Sequence, residues 1–256
     1  MLSLNKKKYL NLLKQKKYRQ KYGFFIAEGD KIVTDLIHSN WEVHEIFTLK
    51  KWIEKIDEDK IPASTKINII NTNELKKISS LKTPHNVLAV IKVPERNTGF
   101  KIQPEKLVLM LDEIKDPGNF GTIIRTANWF GIRDIICSND SVDVFNPKVI
   151  QSSMSALIHV RVWYQDLKTS LEQFNKANVP VYGTFLSGEN IYDASVTSGG
   201  VILMGNESRG IAAELEPYIT RKITIPAFLP SKKDTIESLN VASATGIVCA
   251  EFRRRK

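Results

Sequence analysis

The chain has 256 residues, 42% of them hydrophobic, which is enough for one large or two modest domains with a real core. No apolar run approaches the roughly 18–20 residues that a bilayer span requires, so no membrane-spanning segment is expected. Cys137 and Cys249 are the only cysteines and lie far apart. That excludes a disulfide framework and suits a reduced, cytoplasmic setting. The histidines, His38, His44, His85 and His159, are scattered without zinc-ligand spacing, so no metal is expected. The lysine-rich start carries no apolar segment or cleavage site of a signal peptide.

The formal net charge of +9 is concentrated at the two ends. Residues 1–22 hold eight Lys or Arg and no acid, and 253–256 add four more. The rest of the chain has 25 basic and 28 acidic residues, a net of −3. A clustered basic patch suits phosphate contacts, though it also suits a solubilising tail.

In chain order, residues 5–22, "NKKKYLNLLKQKKYRQKY", read as one basic amphipathic helix. "GFFIAEG" is a short strand with a glycine stop, and "DKIVTDLIHSN" a helix with Asp30 as N-cap. "VHEIFTL", "KINIIN" and "NVLAVIKV" read as strands, separated by helical "KWIEKI" and "NELKKISSL". The polar, proline-containing stretch "PERNTGFKIQPEK" reads as a linker.

Alternation then restarts. "KLVLMLD" is a nearly continuous apolar strand, as expected for one covered on both faces. "GNFGTIIRTANWFG" is a helix closed by Gly131. "RDIICS" is a strand and "NPKVIQSSMSAL" a helix. "VRVWYQ", "VPVYGTFL", "GVILMG" and "KITIPA" are further strands, and a last helix covers "SLNVASATGIVCAEFRRRK". This alternation implies a mostly parallel sheet with helices on both faces, in which ligands bind beyond the carboxyl ends of the strands.

Three strand ends carry unusual residues. In "LDEIKDPGNFGTIIRTANWFG" turn residues precede a helix that begins at Asn119 and presents Thr122, Arg125 and Trp129 on one face. Arg125 there suits a phosphate or ribose, or else a surface ion pair. In "LMGNESRGIAAEL", Gly205 ends a buried strand with Asn206 and Glu207 at its tip. Small residues there let a ligand approach the backbone. Glu207 suits a ribose or an arginine as partner, or else simply a helix N-terminus. In "ITIPAFLPSKKDTIESLNVASATGIVCAEF", Ser238 and Asn240 flank Leu239, and Ser238 also fits an ordinary N-cap. No GxGxxG, GxxxxGK[ST] or GxSxG pattern is present, so this is not an evident dehydrogenase, P-loop enzyme or hydrolase.

Together and in this order, the three segments resemble the motifs of the SpoU (TrmH-like) family of RNA ribose 2′-O-methyltransferases, of the SPOUT class. The likeness spans residues 111–252. Residues 1–93, above all "KKYRQKYGFFIAEGDKIVTDLI", resemble the family's L30e-like substrate-binding domain. The resemblance implies an L30e-like domain over 1–95, a linker over 96–106, and a SpoU domain with a parallel sheet and deep trefoil knot over 107–256. It implies S-adenosylmethionine as cofactor, contacted by Gly205, Ile225, Pro226 and Leu239, with Thr184 and Asn206 beside them. It implies a homodimer and a catalytic set of Asn119, Arg125, Glu207, Ser238 and Asn240. In that set Glu207 would hold Arg125, and Arg125 would orient the ribose hydroxyl. A guanidinium with a pKa above about 12 is a poor base, so the base stays open.

Eleven residues separate Pro226 from Ser238, more than the family pattern leads one to expect, and the two lysines among them are candidate RNA contacts. Arg253, Arg254 and Arg255 read either as RNA contacts or as a favourable helix end. The expected substrate is structured RNA, 23S rRNA favoured over tRNA. The competing reading is a non-catalytic RNA-binding protein on the same scaffold.

Overall fold

The computed structural model describes residues 2–95, 99–228 and 238–254. The chain divides into two compact units, Met1–Thr98 with Asp143–Ile158, and Gly99–Val142 with His159–Lys256.

The first unit opens with two helices, α1 (Leu4–Leu12) and α2 (Lys16–Tyr22), where the sequence suggests one. The break has a physical cause. Leu10 and Leu13 are fully buried, and Gln15 is extended. The Arg19 guanidinium reaches back to the carbonyls of Leu13 (3.1 Å) and Lys14 (2.8 Å), giving partners to groups a continuous helix would have bonded itself. There follow β1 (Phe24–Glu28), α3 (Asp30–Ile37), β2 (Val43–Thr48), α4 (Lys50–Ile53), β3 (Lys66–Ile69), α5 (Thr72–Ile78) and β4 (Val87–Lys92). The N-cap of α3 is Gly29, not Asp30. The Asp30 carboxylate instead accepts the backbone and side-chain N–H groups of Asn86. The sheet order is β1-β4-β2-β3. β4 runs antiparallel to both neighbours, and β2 parallel to β3. Leu10, Leu13, Ile26, Phe47, Ile78 and Leu88 share its core.

The second unit carries β5 (Leu107–Leu111), α6 (Pro117–Trp129) and β6 (Asp134–Cys137). The chain then contributes α7 (Pro147–Ser153) to the first unit. Back in the second unit are β7 (Arg161–Tyr164), α8 (Leu167–Lys176), β8 (Val181–Asn190), β9 (Gly200–Met204), β10 (Arg221–Thr224) and α9 (Val241–Arg254). The expected continuation of α7 to residue 157 stops at Met154 and Ser155, which take left-handed backbone angles. The sequence reading has no helix at α8. There, Asp166 caps the first turn and Leu167, Ser170, Leu171 and Phe174 turn inward at helical spacing. All six strands are parallel, in the order β10-β8-β9-β5-β6-β7. β5, β6 and β9 are buried along their whole length, which is why they read as continuous apolar runs.

The strand order creates the site's position. From β5 the chain proceeds one way to β6 and β7, then returns to β9 and β8 on the other side. The β5/β9 pair is therefore the switch point, and in sheets of this kind ligands bind in the crevice beyond the carboxyl ends at such a pair. Register pairs Leu111 with both Met204 and Cys137. Asp112 and Gly205 consequently emerge side by side, and the ladder continues with Asp112 N–H donating to the Met204 carbonyl at 2.9 Å.

Candidate active site

Three backbone segments meet at this crevice in the second unit. In the first, Asp116 caps α6, accepting the Asn119 N–H at 2.8 Å, and Pro117 occupies the first helical position. Asn119 is thus in the first turn of α6 rather than at its cap. Gly131 follows the helix at φ +67°, the left-handed stop expected there.

The second segment follows β9. A Cβ on Gly205 would lie 2.2 Å from the Gly210 carbonyl carbon, so any side chain would collide with backbone. The close approach comes from a tight reversal in which Asn206 and Gly210 exchange backbone hydrogen bonds of 2.9 and 3.0 Å. Apolar residues after Gly210 form a short 3-10 turn, Ala213–Tyr218, containing Pro217, instead of the α-helix their spacing suggests. The Glu207 carboxylate lies at a helix N-terminus, but that of α6. Its Oε1 accepts the Asp116 N–H at 3.4 Å and the Asn119 side-chain amide at 3.1 Å.

The third segment is the start of α9. Asn240, not Ser238, is the residue that caps it, its Oδ1 accepting from Ala242 (2.9 Å) and Ser243 (3.3 Å). The Asn240 amide donates to Asn119 Oδ1 at 2.9 Å. Glu207, Asn119 and Asn240 therefore form one chain of bonds drawn from three distant parts of the sequence. Ser238 and Leu239 are both exposed, Leu239 at 50%. The segment 229–237, which includes the two lysines singled out above, lies outside the described residues, as do Arg255 and Lys256.

Arg125 is exposed on the outer face of α6 with Thr122 and Trp129. It makes no hydrogen bond or ion pair with any described residue. The expected Glu207–Arg125 contact is not formed. Glu207 spends its Oε1 on Asn119 and the cap of α6 instead. Thr184, just past the part of β8 paired with β9, donates to the Leu203 carbonyl at 3.1 Å. Ile225 and Pro226 follow β10 directly and are half-buried.

Further groups complete the crevice that the sequence motifs do not single out. Asp112 is buried and accepts the Ala212 N–H at 2.8 Å, and burial raises its pKa above the ordinary carboxylate value. Glu113 adopts φ +51°, with its N–H donating to Ser138 Oγ at 2.9 Å. Its carboxylate pairs with the Arg209 guanidinium. The signal available for Asp116 was its place directly before a proline that opens a helix. Nothing local marks Glu113 and Arg209 as partners, because 96 positions separate them. Two of the terminal arginines are engaged within the unit: Arg253 donates to the Phe130 carbonyl at 2.7 Å, and Arg254 makes two bonds to Glu251.

The switch point of a parallel α/β sheet is where enzymes of this architecture hold their ligands, and here a carboxylate–amide chain converges on it. The SpoU rRNA Methylase family model matches residues 106–250, and the MRM3-like substrate binding domain model matches residues 5–89. The chain belongs to the SpoU rRNA methylase family and is a methyltransferase of that class. It is 28% identical, over 94% of its length and 93% of the relative's, to the 23S rRNA (guanosine(2553)-2′-O)-methyltransferase RlmP of Bacillus subtilis. Its fold is similar to a TrmH-family RNA methyltransferase structure from Porphyromonas gingivalis (TM-score 0.88, 37% identity, all of both chains). It is also similar to an rRNA methyltransferase from Sinorhizobium meliloti solved with AdoMet bound (TM-score 0.86, 28% identity, 100% of this chain and 97% of that one). Among the described residues, no helix is long and apolar enough to cross a membrane.

Proposed function

We propose that the protein methylates a ribose 2′-hydroxyl of structured RNA, using S-adenosylmethionine, and that its substrate is 23S rRNA rather than tRNA. The observation that carries this reading is the Glu207–Asn119–Asn240 chain at the switch point, whose Asn119 lies on the helix that also carries Arg125, which has no partner among the described residues. The 23S rRNA preference rests on the Bacillus relative, which matches along nearly its whole length.

The residues present fit the cofactor. Gly205 packs against the Gly210 backbone at the end of β9, Leu239 is half exposed, and Thr184, Asn206, Ile225 and Pro226 lie in or just after neighbouring strands. These six are its proposed contacts, largely through backbone. The cofactor supplies an electrophilic methyl group. The chain must then align the ribose oxygen in line with that methyl and stabilise the charge that develops as its proton leaves. Arg125 is the group for both tasks, since no described residue takes any of its five N–H donors. Glu207, Asn119 and Asn240 fix the start of α6, on which Arg125 is mounted, and Ser238 adds a hydroxyl near the ribose.

RNA capture is assigned to the first unit. Lys8, Lys16, Lys17 and Lys21 are exposed on α1 and α2. Tyr18 and Tyr22 stack at 6.1 Å among them, with Lys17 and Lys21 over their rings. Cations interleaved with aromatic rings suit a phosphate backbone with unstacked bases. A homodimer, a cytoplasmic location and the deep knot belong to the same reading, by family membership.

The test is incubation with methyl-labelled S-adenosylmethionine and RNA lacking native methylation, beside Arg125→Ala. Label in alkali-resistant dinucleotides of 23S rRNA, lost in the variant, is the expected result. Label in tRNA alone would overturn the rRNA assignment. Salt-sensitive RNA binding without any methyl transfer would leave only a binding protein.

A further inference from the structure

We propose that Glu113 and Arg209 are positioning residues of the methyl-transfer site: their ion pair, together with the Asn206 amide, latches the loop after β9 onto the loop after β5 and so holds Glu207 on Asn119. The proposal rests on the methyltransferase reading for its kinetic consequence, but not for its structural one.

Glu113 is an unexpected residue for its place. Its φ of +51° is a conformation that glycine or asparagine adopts more readily. Such a residue persists where its surroundings over-determine it. Here each of its polar parts is held. The N–H donates to Ser138 Oγ at 2.9 Å, the carbonyl accepts from Asn206 Nδ2 at 2.8 Å, and the carboxylate pairs with Arg209. Lys115 approaches the same carboxylate at 3.9 Å. A glycine would fit the backbone but could not reach Arg209. The side chain is therefore what the strained position provides.

The other half of the latch is equally committed. Asn206 Oδ1 accepts the N–H groups of Ser208 (2.9 Å) and Arg209 (3.1 Å), while its amide holds Glu113. This spends the Asn206 side chain on shaping the loop, and its backbone N–H and carbonyl are spent on Gly210. Glu207 sits between these anchors, one residue from Asn206 and two from Arg209. With its backbone pinned on both sides, its carboxylate meets Asp116 and Asn119 without a search over rotamers of the loop. Misplacement of such a group by about 1 Å can cost up to about 10²-fold in rate.

Glu113→Gly is the informative variant, because it removes the carboxylate while easing the backbone. It should leave the melting temperature unchanged or higher, and lower kcat about tenfold with KM for RNA unchanged. Arg209→Ala should do the same, and the double variant should be no worse than either single one. Exchanging the pair, Glu113→Arg with Arg209→Glu, should recover part of the loss. A rise in KM for RNA in Arg209→Ala that Glu113→Gly does not share would overturn the latch and make Arg209 an RNA contact. Hydrogen exchange of the peptide 203–215 supplies a readout free of activity. Faster exchange in Glu113→Gly supports the latch. Unchanged exchange overturns it, even if the wild-type protein transfers no methyl group, an outcome that would separately defeat the enzyme reading.

Discussion

Arg19 in the first unit and Arg125 in the second both sit on helices in their units, yet their surroundings are opposite. Arg19 is 3% exposed and donates to two carbonyls and to Asp143. Arg125 is exposed and has no described partner. The contrast extends to particular groups in each unit. In the first, buried charges are spent on architecture. Glu45 takes Lys6 and Asn68, Glu28 takes Ser79 and the Ser80 N–H, and Glu74 closes a capping box with Asn71. At the crevice of the second, Glu207, Asn119 and Asn240 hold one another, and Arg125 further along α6 has no partner among the described residues. Charge type says little about role, and the two arginines differ instead in how many described partners each has.

The sharpest way to break that comparison is to delete both arginines separately. Arg125→Ala should cost about 10²–10³-fold in kcat, the scale of a lost donor to developing charge, with stability changed by less than about 0.5 kcal/mol. Arg19→Ala should behave inversely. It strands Asp143 and two carbonyls in a buried place, costing about 3–5 kcal/mol of stability, while the folded fraction keeps its turnover. Denaturant melts and single-turnover kinetics on both proteins decide the matter. An Arg125 variant that melts early, or an Arg19 variant that is stable but inactive, would reverse the assignment.

Asn240 lies on both sides of the comparison, so its two functions can be pulled apart. As N-cap of α9 it needs only an acceptor, which aspartate also supplies. As partner of Asn119 Oδ1 it needs a donor, which aspartate lacks. Asn240→Ala should lose about 1 kcal/mol of stability along with activity. Asn240→Asp should keep the stability and lose about tenfold in kcat, because a carboxylate then faces the Asn119 oxygen. Equal activity of Asn240→Asp and wild type would show that the bond to Asn119 is incidental.

Much of this molecule was legible in its sequence, and the reasons are specific. Buried parallel strands such as Leu107–Leu111 and Gly200–Met204 announce themselves as apolar runs, since both faces are covered. Asn119, Glu207 and Asn240 were legible through their motifs, and the structure brings all three together. Their bonding pattern was not. It depends on β5–β9 register and on loops that fold back, neither of which leaves a trace within a short window. The broken N-terminal helix was illegible for a related reason. Its lysine-rich surface continues smoothly through 13–15, and only the tertiary burial of Leu13 and Arg19 interrupts it. By residue type Ser238 also fitted an N-cap, and Asn240, two positions on, is the residue that caps α9.

Asp112 gives the smallest effect and the finest test, because it is a carboxylate at the crevice that architecture holds at a cost. Burial is the chief cause of its raised pKa, and the Ala212 N–H opposes the shift without cancelling it. The sign follows. Below the unfolded carboxylate pKa of about 3.9, both states carry the proton and no charge is buried. As pH rises from there through the higher folded value, the unfolded chain gives up its proton more readily than the folded one. Stability contributed by this group is therefore lost with rising pH and stays lost at neutrality. Asp112→Asn keeps an oxygen for the Ala212 N–H and cannot ionise. It should raise the melting temperature at pH 7, with the advantage shrinking to nothing as the pH falls below the carboxylate range. A variant less stable than wild type at pH 7 and equal to it in acid would mean that the charge itself holds the crevice together, placing Asp112 with the ion-paired framework residues of the first unit.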